Sequence, residues 1–351
     1  MNIWFNHNFS STAQLIKSLK AEGGYTVTAS HRRADAVMLS AADKRVIEPD
    51  ITSESGEEVE KYLEWALGVC QEQRVDVLIP ERYKLELARN RSRFEEVGAR
   101  LLVAAEPDVL ELVENKAALY ASLSPGLVPI PPHRVAKTAA EFDEALEELE
   151  YSPDDLEHRL CVKPVEGIFA SGFRVLGEVH LSHLLRNALI ISPGHLRDLM
   201  SEAVETEEST PFLVMRYLAG DERSVDCLGH EGELVRCVVR RKGDGSAQVL
   251  EDNPDVSEMA AALTKTLNLT GVYNIQFKDD EEGTPYLLEI NSRASGGLPM
   301  AALSGLDFYH WALQLLTGRC QPEDVPEPRT GLRVAMGSVA LALGEQEVAR
   351  E

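Results

Sequence analysis

The sequence predicts a protein that is α/β in its first third and α+β thereafter. Up to about residue 105, short apolar runs alternate with helical patterns, as in an open parallel sheet. From Leu160 onward, strands follow one another with few helices between them. The chain has 351 residues, more than one ordinary core holds.

Residues 1–5 read as a short buried strand, followed by a polar turn and a helix over 13–24 that ends at glycine. A strand at 25–30 comes next, then a helix from Glu57 to Gln73 and a strand over 75–80 closed by proline. Residues 86–98 are helical and 101–105 form another strand. Ligands of such sheets bind at strand C-terminal ends, which places Asn6, His7, Asn8, Ser10, Ser11 and Pro80-Glu81-Arg82 where binding is expected. Residues 106–123 are predicted helical, 128–135 a proline-rich crossing and 139–150 an acidic helix. Strands are expected at 160–165, 173–177, 212–220, 223–230 and 233–242, then a helix at 256–269. Two strands, 272–278 and 285–291, flank the turn-rich 279–284. Residues 299–318 read as a helical finish with Pro299 in its first turn, and 331–343 as one more packed strand.

Composition narrows the function. A net charge of −23 repels nucleic acid and anionic membrane over most of the surface, and no stretch is apolar enough to span a bilayer. Two basic clusters stand out against it: Arg82, Lys84, Arg89, Arg91 and Arg93, and Arg236, Arg240, Arg241 and Lys242. Five cysteines, odd in number and without a CxxC pair, argue against a disulfide framework or structural zinc. Without a signal-peptide pattern at the N-terminus, the expected home is the reducing cytoplasm. No GxGxxG follows the first strand, and there is neither a P-loop nor a GxSxG elbow.

The strands around the 279–284 turn carry the strongest signal. Side chains alternate along a strand, so Asn274, Gln276 and Lys278 share one face, and Glu289 and Asn291 another. If the faces coincide, a carboxylate and amides converge among apolar neighbours, a set suited to a hard cation. The stretch 271–297, with its N-x-Q strand and E-x-N-x-R strand, resembles the magnesium-site hairpin of ATP-grasp enzymes in the carbamoyl-phosphate synthetase-like branch. The resemblance implies that Gln276, Glu289 and Asn291 bind magnesium, with manganese as the alternative, and that Arg293 faces the transferred phosphate or the acylphosphate.

Other parts of the family pattern follow in order. Lys163 matches the nucleotide-binding lysine before a flexible loop, here Gly167 to Gly172 with Ser171 inside it, whose backbone N–H groups would close over phosphates. Lys116 matches an earlier phosphate lysine. Residues 212–228 resemble the interdomain hinge that holds adenine, with backbone groups of Arg216 and Leu218 at the base and Glu222 at the ribose. Met215 departs from the family, standing where many relatives carry a glutamate against the adenine amino group. Arg240 and Arg241 lie on the strand that relatives place over the γ-phosphate and the acceptor carboxylate; alternation lets only one of them face inward.

The implied architecture is a pre-ATP-grasp α/β domain at 1–105 and a two-lobed ATP-grasp unit. Its small lobe would span 106–195, its large lobe with the hairpin 196–325, and the tail 326–351. The chain also resembles members encoded with tellurite-resistance (Ter) stress genes. The implied chemistry is a carboxylate–amine ligase: ATP activates a carboxylate as an acylphosphate, an amine captures it, and ADP and phosphate leave. A kinase on the same fold and a nucleotide-binding regulator without turnover are the alternatives. Small-molecule substrates are expected, and a homodimer is the assembly the family leaves open.

Overall fold

The computed structural model describes residues 1–51, 56–167, 172–185, 189–205, 210–243 and 245–337. They form two compact units. Unit 1 comprises 1–110, 225–274 and 291–351, and unit 2 comprises 111–224 and 275–290.

In unit 1, five parallel strands make a sheet in the order β3-β2-β1-β4-β5. They are β1 (Asn2–Phe5), β2 (Thr26–His31), β3 (Lys44–Ile47), β4 (Val77–Ile79) and β5 (Arg100–Leu101). Every described pair in it is parallel, which requires a crossover between strands, and the helices Thr12–Ala21 and Gly56–Gln73 supply two of them. The fold class read from the alternating pattern is the one observed. Strand β3 was not legible because its side chains are mostly exposed and it lacks an apolar run. One core joins this sheet to the rest of the unit: Ile3, Phe5 and Val27 cluster with Leu228, Leu250, Leu298, Phe308 and Leu313.

Unit 2 holds a sheet in the order β6-β10-β7-β8-β9. Its strands are β6 (His133–Ala136), β7 (Leu160–Pro164), β8 (Arg174–Leu176), β9 (Ile190–Ile191) and β10 (Phe212–Arg216). Its core is Ala136, Phe142, Leu160, Val162, Leu176, Met200 and Val214. The helix Pro193–Glu205 has no counterpart in the sequence reading.

A third sheet has the order β15-β14-β11-β12-β13-β16. Its strands are β11 (Glu222–His230), β12 (Glu233–Lys242), β13 (Ala247–Glu251), β14 (Gly271–Asp279), β15 (Pro285–Asn291) and β16 (Leu332–Ala335). Residues 222–224, 275–279 and 285–290 of it belong to unit 2, and the rest to unit 1. Of the expected C-terminal strand, Leu332–Ala335 is present, and residues 338–343 lie outside the described residues.

Three helices expected to be continuous are each divided. In two of them Asn115 and Asp307 cap the later segment, their side chains accepting from the N–H groups of Ala118 and His310. Asn90 divides Lys84–Arg89 from Arg91–Glu96. Among the described residues no helix is long and apolar enough to cross a membrane.

Candidate functional site

Unit 2 contains a cleft of about 1060 Å³, its open mouth included. Lys116, Lys163, Gly167, Met215, Arg216, Leu218, Glu222, Gln276 and Glu289 all line it, together with Cys161, Phe173, Leu189 and Lys278. Nine residues singled out from the sequence thus meet in one place, although they are spread over more than 170 positions of the chain.

One end of the cleft is basic. Lys116 opens the helix Lys116–Ser122 just after its Asn115 cap, and its own N–H donates to Val165 O at 3.1 Å. These contacts deliver its nearly buried ammonium to Gly167 O at 3.0 Å and to within 3.5 Å of Glu289. Lys163, near the end of β7, donates to Leu288 O at 3.2 Å. Burial pushes its ammonium down from the ordinary 10.5 to about 8, against the opposing pull of Glu289. Tyr120, one helical turn beyond Lys116, donates to the carbonyls of both Leu287 (3.0 Å) and Leu288 (2.7 Å). Its hydroxyl therefore ties the helix bearing Lys116 to the strand bearing Glu289.

The other end is formed where β10 runs out. Arg216 N–H is taken by Pro132 O at 3.0 Å, so it is not available to read a base; Leu218 N–H donates to no other described residue. The Arg216 side chain pairs with Glu281 at 2.9 Å. Met215 is buried against Cys161, whose thiol burial holds up near 12, so this wall is apolar and uncharged. Gln276 and Lys278 alternate on β14 with the fully buried Ile275 and Phe277, which turns both polar side chains into the cleft.

Among the described residues no three His, Cys, Asp or Glu side chains are grouped to hold a metal. The cleft instead presents two carboxylates, Glu289 and Glu222, and one amide, Gln276. Oxygen donors so few in number fit a magnesium ion that takes the rest of its shell from water and nucleotide phosphates.

The remaining candidates other than Ser171 and Gly172 belong to unit 1. Asn291 ends β15, two residues after Glu289 on the same side of the strand. Arg293 stacks over Phe9 at 5.0 Å and lies 3.5 Å from Glu81. It lines a small cavity with Asn8, Glu81, Lys84, Ser292 and Tyr309, at the C-terminal end of β4. Asn6 helps to shape this end of the sheet: buried, it accepts from Glu81 N at 2.6 Å and donates to Tyr62.

Of the arginine pair on β12, Arg240 is the buried one. It donates to Asp226 (2.6 Å), Gln248 (2.5 Å) and Ser295 (2.8 Å), while Arg241 turns outward to Glu251 at 3.0 Å. Asn274 joins this network, donating to Asp226 and Val225 O at 3.0 Å each, rather than lining the cleft with Gln276. Gly172 has φ +75° and packs where an added Cβ would stand 2.7 Å from Pro164. Ser171, with the rest of 168–171, lies outside the described residues.

Both basic clusters are largely neutralised in place. Arg82 pairs with buried Glu48, Arg91 with Glu106 and Arg93 with Glu60; Arg236 holds the carbonyl of Val325. Reasoning from sequence missed Tyr120 and Asp226, which are ordinary residue types with no motif to mark them.

The chain is similar to known proteins in sequence and in fold. Residues 208–340 of the chain are similar to an ATP-grasp family. The matching family is described as ATP-grasp in the biosynthetic pathway with Ter operon. The carbamoyl phosphate synthase large chain of Ralstonia nicotianae is 26% identical over 243 residues, which are 63% of this chain and 20% of that one. The chain thus spans about a fifth of the length of the curated relatives it matches. Among solved structures, the biotin carboxylase domain of Hydrogenobacter thermophilus 2-oxoglutarate carboxylase, complexed with MgADP, ADP and bicarbonate, aligns with a TM-score of 0.65 at 19% identity. It covers 92% of this chain and 72% of its own. An L-amino acid ligase from Bacillus licheniformis aligns with a TM-score of 0.61 at 15% identity, covering 93% and 77%. These likenesses establish the fold.

Proposed function

We propose that the protein is an ATP- and magnesium-dependent ligase that activates a substrate carboxylate as an acylphosphate for capture by an amine. The observation that carries this reading is the meeting of Lys116, Lys163, Gln276 and Glu289 in one cleft with Met215–Leu218 and Glu222. The lysines face the triphosphate and offset its charge; the apolar wall at Met215 packs on the base. Glu289 and Gln276, with Asn291 following on the strand, would hold magnesium. Bound there, it would neutralise phosphate charge as the carboxylate attacks the γ-phosphate.

The carboxylate oxygen forms a bond to the γ-phosphorus as the bond to ADP breaks. The amine then attacks the acyl carbon, expels phosphate and loses a proton to solvent. Arg293 is assigned to the acylphosphate or its acceptor, and Arg240 to the support of that region from its buried network. Arg241 faces Glu251 and takes no part. The functional division retained is 1–105, 106–195, 196–325 and 326–351. The setting proposed is the cytoplasm, in a Ter-linked stress pathway, with a homodimer as the assembly to be tested.

The deciding experiment measures ADP and phosphate release across small carboxylic acids, with and without amines. Amine-dependent turnover is expected. A phosphorylated acceptor that accumulates without amine would make the protein a kinase, and nucleotide binding with no turnover would make it a regulator. Glu289→Ala is expected to abolish turnover and weaken MgATP binding; unchanged affinity and turnover would overturn the magnesium assignment.

A further inference from the structure

Lys278 faces the cleft of unit 2 from β14, on the same side of the strand as Gln276 and roughly 7 Å further along it. Its ammonium donates to Gly220 O at 3.0 Å, its one hydrogen bond among the described residues. Lys116 and Lys163 both feel the carboxylate of Glu289, whereas Lys278 makes no ion pair among the described residues. The contrast is informative in a chain with 58 acidic residues against 35 basic ones, where a surface lysine readily finds a carboxylate. A half-buried ammonium with three donors and one carbonyl partner keeps two donors for something that enters the cleft.

Its location says what that is. Gly220 lies between Leu218 and Glu222, both of which line the cleft. On the proposed reading Lys116, Lys163 and Gly167 receive the triphosphate, and Met215 and Leu218 the base. Through Gly220, Lys278 adjoins the connector that carries Leu218 and Glu222. A hydroxyl group is both donor and acceptor, so a donor-only ammonium and an acceptor-only carboxylate together satisfy it.

We propose that Lys278 reads the ribose of the bound nucleotide, donating to a ribose hydroxyl whose own proton goes to Glu222. This makes Lys278 a specificity residue for ribonucleotides over deoxyribonucleotides. The inference rests on the reading of the cleft as an ATP site.

The test is calorimetric titration of the full chain, with magnesium in excess, using ATP, 2′-deoxy-ATP and 3′-deoxy-ATP against wild type and Lys278→Met. Wild type is expected to bind ATP about tenfold more tightly than at least one deoxy analogue, the worth of a hydrogen bond to a charged donor. Lys278→Met is expected to weaken ATP to the level of that analogue while leaving the analogue within about twofold. Equal weakening of all three nucleotides, or no change, would overturn the ribose assignment, as would a wild type that binds all three alike. A wild type that binds none of them would overturn the nucleotide reading itself. Should Lys278→Met not fold, Lys278→Gln supplies the same comparison, with part of the discrimination retained by its amide donor.

Discussion

Lys163 titrates near 8 because its ammonium has lost water and gained only a backbone carbonyl and a shared carboxylate. Below that pH it is charged and ready for phosphate; above it the free protein must take up a proton to bind. A triphosphate beside it restores the charged form, so the pKa rises on binding. Nucleotide affinity is therefore expected to be flat below about pH 8 and to fall by up to tenfold per unit above it. Titrations from pH 6.5 to 9.5 check this, and in Lys163→Met the affinity should be lower throughout and lose the bend. The window lies well above the range of an ordinary histidine, which distinguishes the lysine from any imidazole. Tyr120 makes a second prediction at this scale. Tyr120→Phe removes one donor from two carbonyls and is expected to cost about 1–2 kcal/mol in denaturant melts. Only the lysines were legible from sequence, because they sit in family motifs; the tyrosine acts through backbone atoms that no motif records.

At the scale of elements, strand alternation carries most of the argument. It correctly separates Gln276 and Lys278 from Ile275 and Phe277, and it requires Arg240 and Arg241 to part. Alternation cannot say which arginine is buried, since that depends on Asp226, fourteen residues earlier and on a neighbouring strand. The same limit applies to Asn274, which shares a face with Gln276 in principle but is claimed by Asp226. Gly297 shows how tightly this network is packed: an added Cβ would fall 2.3 Å from the Arg240 guanidinium. Gly297→Ala is thus expected to destabilise by about 1–3 kcal/mol through overpacking. Asp226→Ala should cost more, about 3–5 kcal/mol, by leaving the Arg240 charge buried without its partner. Thermal melts of the two variants, ranked against each other, test whether the network is as buried as it looks.

For the whole molecule, the effect of ligand is expected to begin in unit 2. All residues that line the cleft belong to unit 2. ATP at a hundredfold over its Kd would stabilise the state that binds it by about 2.7 kcal/mol. Hydrogen exchange followed by mass spectrometry is expected to show that protection first in residues 111–167 and 275–290. The five-stranded parallel sheet of unit 1 should change less. Protection that is equal across the chain would show that the units open together.

By itself the sequence determined the alternating α/β beginning, the strand-rich remainder and the order of the phosphate lysines, the connector and the hairpin. Those are local or motif-level properties, written in residue spacing. Tertiary structure alone decided which of them share a cleft, because burial and hydrogen-bond partners are relations between distant segments. It put Glu289 within reach of Lys116, sent Asn274 to Asp226, and left Lys278 with a carbonyl and two donors facing the cleft.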